Sequence, residues 1–229
     1  MITNGIIQAR MSSTRLPGKA LKKLKGKTII EWIFIRLKKC KSLNNIILAT
    51  TVHKEDDSLC KLGDKYNIPV VRGNKNNVLS RYVRVIEKFP SDAVVRITGD
   101  NPLTDIKTID NITSYFYTNN LDYCYAAKIP YGSGADIFRS NELLNISKRA
   151  ITPRHKEHIN TYYLDFHLSY TISSFITEGI NRSDVRVTLD LEKDYIRLIQ
   201  LFDLIHKPDD CGIEEIIYAY DRLSDFYKY

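Results

Sequence analysis

Two rhythms of apolar residues alternate through the first half of the chain. The short runs "NGIIQA", "NIILAT", "PVVRG" and "DAVVRITGD" are continuous and rich in Ile and Val, which predicts strands buried on both faces. Between them lie longer stretches that repeat at helical spacing: "TIIEWIFIRLKKC", "KEDDSLCKLGDKYN", "NNVLSRYVRVIEKF" and "TDIKTIDNITSYFYTN". In the first of these, Thr28 is placed to cap, Glu31 sits at the capping-box position, and Ile29, Ile33 and Leu37 share one face. The second carries its acidic residues in the first turn, where the helix dipole favours them. Strand alternating with helix in this way predicts an α/β fold, a mostly parallel sheet covered by helices on both faces.

The rhythm changes near Leu121. "LDYCYAA" and "ADIFR" read as strands around the turn "PYGSG", "SNELLNISKRA" as a helix, and "PRHKEHINTYYLDF" as another with Pro153 in its first turn. "YTISSFI" and "DVRVTLDL" return to strand, and the helices "KDYIRLIQLFDLI" and "GIEEIIYAYDRLSDFY" follow. No internal repeat interrupts this order. The expected organisation is one domain over residues 1–229, with an inserted subregion at about 125–182.

Composition narrows the setting. With 43% apolar and 27% charged residues the chain is ordinary for a soluble domain, and no apolar run approaches a bilayer span. The start of the chain lacks the charged and apolar regions of a secretion signal. Cys40, Cys60, Cys124 and Cys211 show no metal-type spacing and are expected to be reduced thiols of a cytoplasmic protein. The net charge is +7, which suits nucleic acid, a membrane surface or a small anionic substrate. Lysines gather at positions 19, 22, 23, 25 and 27, but no aromatic RNA-binding signature or DNA-binding motif accompanies them. A small anion is therefore favoured over nucleic acid or membrane, and a solvated basic face is the plain alternative.

That charge changes how the first loop reads. "QARMSSTRLPGKAL" leaves the first strand at the end where open α/β sheets bind ligands. Gly18 and two serines allow close backbone approach, Arg10 and Arg15 offer forked donors, and Lys19 supplies a compact charge. Several cations in one loop repel unless an anion lies between them, so a polyanion such as a nucleoside triphosphate would resolve the conflict. The spacing is neither G-x-x-x-x-G-K-[ST] nor G-x-G-x-x-G, and an ordinary exposed loop remains open. Past another buried strand stands Asp100, which fits two roles: a turn former beside Pro102, or an acid facing the same crevice.

The stretch "IIQARMSSTRLPGKAL" resembles the signature of CTP-dependent cytidylyltransferases. It is most like the spore-coat polysaccharide type, then the CMP-KDO synthetases with A-R-x-x-S-T-R-L-P-G-K, and more distantly the acylneuraminate cytidylyltransferases. Fainter similarity runs through "VVRGNKNNVLSRY", "RITGDNPLTD", "RHKEHIN" and "RVTLDLEKD". The resemblance implies a Rossmann-like nucleotidyltransferase with an inserted dimerisation region, acting as a homodimer. It implies transfer of CMP from CTP to an anionic acceptor with Mg²⁺ as cofactor, in surface polysaccharide or glycoconjugate synthesis. On it, Asp100 and Asp190 are the metal-binding acids, and Arg10, Arg15 and Lys19 join them as catalytic residues. Nucleotide contacts fall on Ala9, Arg10, Met11, Ser13, Arg15, Lys19, Arg72 and Thr98. Acceptor contacts fall on Arg154, His155, Glu157 and Arg186, while Asp194 reads as a helix cap.

Departures from the family pattern cluster around the site. Gln8 stands where the KDO enzymes have proline, Thr98 where they have glutamine and Asn101 where many have glutamate; Ser80 replaces the acid of an Asp-Arg pair. His155 and His158 lie one turn apart with no third metal ligand evident, which favours a structural role. Two other classes compete. A nucleotide-sugar glycosyltransferase would show a D-x-D motif, which "TGDNP" lacks; a nucleic-acid-binding protein would use the +7 charge without CTP turnover.

Overall fold

A computed structural model describes residues 1–149, 152–224 and 227. In chain order the elements are β1 (Thr3–Gln8), β2 (Lys23–Leu24), β3 (Lys27–Thr28), α1 (Ile29–Leu37), β4 (Asn45–Thr51), α2 (Asp57–Lys65) and β5 (Val70–Gly73). Next come α3 (Val78–Lys88), β6 (Ala93–Thr98), α4 (Ile106–Thr118), β7 (Tyr123–Ala127), β8 (Asp136–Arg139) and α5 (Ser140–Arg149). The remainder is α6 (Pro153–Glu157), α7 (Asn160–Asp165), β9 (Ile172–Ile176), α8 (Glu192–Leu204) and α9 (Ile213–Asp221). Parts of two predicted helices, Ala150 of one and Asp225 and Phe226 of the other, lie outside the described residues.

Seven strands form one sheet in the order β5-β4-β1-β6-β8-β7-β9. β5, β4, β1 and β6 are parallel neighbours, β8 runs against both β6 and β7, and β9 is parallel to β7. This is the mostly parallel α/β sheet that the alternating rhythm predicts. Because β1 lies between β4 and β6, the winding reverses there, and a crevice opens at the carboxyl ends of β1 and β6.

The continuous apolar runs reflect burial on both faces. Ile6, Ile47 and Val94 point to one side, against Val85 of α3 and Leu143 of α5. Ile7, Leu48 and Val95 point to the other, against Ile33 of α1, Ile109 of α4 and Leu198 of α8. Burying one such aliphatic side chain contributes about 1.5–3 kcal/mol, so these two layers dominate the sheet's stability. Residues 125–182 hold most of β7, then β8, α5–α7 and β9, and continue the same sheet. All four cysteines are free thiols. Among the described residues no helix is long and apolar enough to cross a membrane.

Three local expectations need correction. The run "DVRVTLDL" is not a strand: residues 184–191 are extended, but their backbone partners are loop residues. Tyr131 N–H donates to Val185 O, Val187 N–H to Tyr131 O, and Leu189 N–H to Asp100 O. Its alternation is real, since Val185, Val187 and Leu189 are fully buried, yet a single bridge between Tyr131 and Arg186 is all the pairing it has. The helix expected over 153–166 breaks at His158, whose carbonyl accepts from both the N–H and the hydroxyl of Thr161, at 2.9 and 2.6 Å, a tight i-to-i+3 turn instead of a continued α-helix. The ribbon β2–β3 was not anticipated; its signal is "KGK", with Lys25 and Gly26 at φ 43° and 79°, the left-handed pair of a tight hairpin turn.

Candidate active site

A cavity of about 530 Å³ occupies the crevice, large enough for a small-molecule ligand. Six pieces of chain line it: the loop after β1, the turn after β6, the start of α3, the loop between β7 and β8, the end of α6, and the extended segment ending at Asp190. Close approach of the first two depends on Gly99. Its N–H donates to Gln8 O at 2.8 Å, and a Cβ there would stand 2.6 Å from Ala9 Cβ and 3.0 Å from Gln8 O. The loop's own fold is set by Met11, whose carbonyl accepts from Ser13 N–H and Gly18 N–H. Gly18 takes φ 71°, a conformation that costs other residues about 1 kcal/mol or more. Met11 N–H in turn donates to buried Asp56 at 2.7 Å, which ties the loop to the end of β4 through Thr50 and Thr51.

Lys19 stands at the centre. Its ammonium donates to Asp100 Oδ2 at 2.5 Å, Asp190 Oδ1 at 3.1 Å and Leu189 O at 2.9 Å. Two acids 90 positions apart in sequence thus meet at one nitrogen. Arg15 adds a bond to Asp190 Oδ1 at 2.8 Å, while its side chain stays 61% exposed. Asp190 Oδ2 accepts from Arg186 at 2.7 Å, and Arg186 also bonds Asp194, which Arg197 holds from beneath. Burial works to raise the Asp190 carboxyl, but Lys19, Arg15 and Arg186 outweigh it and hold the group below the usual carboxylate range. Asp194 is lowered in the same manner, burial opposing and Arg186 prevailing. Asp194 also caps α8, accepting from Asp190 N–H and Leu191 N–H, as the sequence reading expects.

Asp100 and Asp190 could hold a hard divalent ion. They present oxygen donors at one spot, and no group of three or more His, Cys, Asp or Glu side chains is assembled among the described residues. Two carboxylates, with the other positions left to substrate oxygens and water, fit Mg²⁺ better than a metal wanting a complete protein cage.

The other expected residues divide. Ala9, Arg10, Ser13, Thr98 and Glu157 line the cavity together with Arg15, Lys19, Asp100 and Asp190. Arg10 bonds Lys75 O at 2.9 Å and Glu157 at 3.1 Å, so α6 does deliver an acid to the loop. Met11 shapes the loop without lining the cavity. Arg72 lies outside it: its guanidinium is held by Asp57 and the carbonyls of Thr51 and His53. Arg154 and His155 also lie outside, both turned to Asp165, His155 through Nε2 at 2.9 Å. Arg186 reaches the site through Asp190 rather than by lining the cavity.

Arg96 and Asp136, which the sequence reading did not single out, form the cavity floor with Gln8 and Arg81. Arg96 and Asp136 pair at 2.7 Å, Gln8 accepts from Arg96 Nε, and Arg81 comes in from α3. Their sequence signal was a charged residue inside each of two apolar strands, "VVRIT" and "ADIF".

Comparison with known proteins accords with this geometry. Residues 4–201 match the family model described as cytidylyltransferase. The spore coat polysaccharide biosynthesis protein SpsF of Bacillus subtilis is 30% identical over 96% of this chain and 94% of its own length. The 3-deoxy-manno-octulosonate cytidylyltransferase of Fusobacterium nucleatum is 37% identical across 50% of this chain and 46% of that one. A solved cytidylyltransferase from Leptospira borgpetersenii superposes with a TM-score of 0.93 at 27% identity, covering 100% of this chain and 97% of that structure.

Proposed function

The chain belongs to the cytidylyltransferase family and is a nucleotidyltransferase; from there we propose that it transfers CMP from CTP to an anionic sugar acid or a phosphorylated or phosphonate acceptor, releasing pyrophosphate. The observation that carries this reading is the meeting of Arg15, Lys19, Asp100 and Asp190 at one end of the cavity. The likeness to SpsF and to the Fusobacterium nucleatum cytidylyltransferase supports a role in surface polysaccharide or glycoconjugate synthesis.

In this mechanism Arg10, Ser13, Arg15 and Lys19 bind the phosphates. Arg15 is exposed enough to swing from Asp190 to a phosphate oxygen. Arg186 holds Asp190 Oδ2, so the oxygen that Asp190 shares with the loop cations is Oδ1, where Lys19 and Arg15 donate. Asp100 and Asp190 would hold Mg²⁺, which supplies Lewis-acid stabilisation of charge on the α-phosphate. An acceptor oxygen bonds to the α-phosphorus while the bond from that phosphorus to the bridging oxygen breaks; pyrophosphate leaves, and a hydroxyl acceptor gives its proton to water. The protein's contribution is positioning and charge neutralisation rather than covalent chemistry.

A pyrophosphate-release screen tests this. Each nucleoside triphosphate is supplied with Mg²⁺ against a panel of acidic sugars and phosphorylated polyols. Release is expected with CTP and not with the others, and Arg15→Ala or Asp100→Asn should lower the rate roughly 10²–10³-fold, the usual cost of one preorganised charge-stabilising contact. Full activity in either variant would remove the site assignment.

A further inference from the structure

We propose that Arg96 and Asp136 form a sugar-reading pair, a half-buried ion pair that recognises two neighbouring hydroxyls of the bound ligand. The proposal rests on the nucleotidyl-transfer reading of the cavity and adds a residue-level basis for its selectivity. Arg96 on β6 and Asp136 on β8 are register partners across the antiparallel junction of the sheet. Both side chains line the cavity, 16% and 18% exposed.

The pair is built from behind. Arg96 Nη1 donates to Asp136 Oδ2 at 2.7 Å and Arg96 Nε to Gln8 Oε1 at 3.1 Å. Tyr82 donates its hydroxyl to the same Gln8 oxygen at 3.2 Å, and Tyr123 donates to Asp136 Oδ1 at 3.3 Å. Tyr82 and Tyr123 are themselves fully buried. Three neighbours, Gln8, Tyr82 and Tyr123, therefore fix where the guanidinium and carboxylate point, and that preorganisation strengthens any hydrogen bond the pair makes.

Charge separates this pair from the loop cations. Arg96 is balanced by Asp136 on the spot, so the pair itself offers no net attraction to phosphate, and a carboxylate or phosphate drawn against it would face the Asp136 charge. What remains is a set of N–H donors beside carboxylate lone pairs. A hydroxyl both gives and takes a hydrogen bond, and two on adjacent carbons match a donor–acceptor couple; an anion matches only half of it. The flanking wall is small, with Ala126, Gly134 and Ala135 leaving room for a ring above the pair. Gly134 is needed for that wall to pack, since a Cβ there would stand 2.9 Å from Ile129 Cδ1 and 3.3 Å from Ala126 Cβ. The hydroxyls can belong to the ribose of the nucleotide or to the acceptor.

Two variants of the full chain test the proposal. Asp136→Asn removes one charge; Arg96→Gln with Asp136→Asn removes both and keeps an amide pair able to bond across the same gap. Thermal unfolding first establishes that the double variant folds. The ribose arm compares calorimetric affinity for CTP with that for 2′-deoxy-CTP and 3′-deoxy-CTP. The acceptor arm measures pyrophosphate release against the acceptor panel, separating KM from kcat. The expected result is a loss of roughly 10- to 100-fold, the worth of a hydrogen bond to a charged group. It appears as lost preference for the ribo form in the first arm, or as raised acceptor KM with kcat nearly kept in the second. A folded double variant unchanged in both arms overturns the proposal, because a purely structural pair would leave both readouts alone. If the parent uses another nucleoside triphosphate, the CTP assignment fails separately, and both arms are read with that nucleotide and its deoxy forms.

Discussion

Lys19 and Gly99 show how much of the site one residue can govern. Lys19 gathers two acids that sequence separation keeps apart, and Gly99 lets the turn bearing Asp100 lie against the loop bearing Lys19. Gly99→Ala is expected to destabilise the fold by about 1–3 kcal/mol, as overpacking does. It should also cut turnover more than that loss explains, because the methyl would force Asp100 away from Lys19. Urea unfolding beside kinetics of the folded fraction checks this; wild-type turnover would mean that the close approach is incidental. The loop cations could be read from sequence because charge packed into a small-residue loop is conspicuous. Arg72, Arg154 and His155 could not be placed, because their direction depends on which acid the fold brings near: Asp57 for the first, Asp165 for the others. Arg96 and Asp136 were missed because the register of β6 on β8 is what pairs them.

Helix α1 was legible down to its cap, since its signal is local. Thr28 Oγ1 accepts from Glu31 N–H at 3.3 Å, and Glu31 accepts from Thr28 N–H at 2.8 Å. Lys65 and Tyr66 add bonds to the same carboxylate. Burial tends to raise the Glu31 carboxyl, yet these partners bring it down to about 2. A carboxyl depressed in the fold stabilises above its unfolded value, near 4.5, and that stability is lost as pH falls toward about 2. Glu31→Gln should therefore cost about 1–2 kcal/mol at neutral pH, a typical capping loss. The gap to the parent should close between pH 4.5 and pH 2 in denaturant titrations; a gap constant with pH would contradict the ionic cap. The segment 184–191 shows the opposite case. Its alternation correctly marked the buried side, but strand identity needs a neighbouring strand, and the neighbour here is a loop.

The fold as a unit explains why the chemistry sits where it does. Alternating strands and helices predicted the parallel sheet, and the position of β1 between β4 and β6 makes the crevice at which the cationic loop emerges. Distant segments then complete the site. Fully buried Arg36 of α1 donates to Thr104 O, Pro208 O and Cys211 O, holding the turn after Asp100 and the stretch after α8 against the same helix. No local pattern announces that clasp, because its acceptors are backbone carbonyls far apart in the chain. The account as a whole requires that the loop cations and the two acids work on one ligand. Calorimetric titration with CTP, with and without Mg²⁺, measures this in the parent and in the Asp100→Asn/Asp190→Asn double variant. Mg²⁺ should tighten CTP binding roughly tenfold or more in the parent, a coupling of ordinary size between linked ligands, and should do nothing in the double variant. A parent indifferent to Mg²⁺, or a double variant that keeps the full Mg²⁺ effect, would contradict the account.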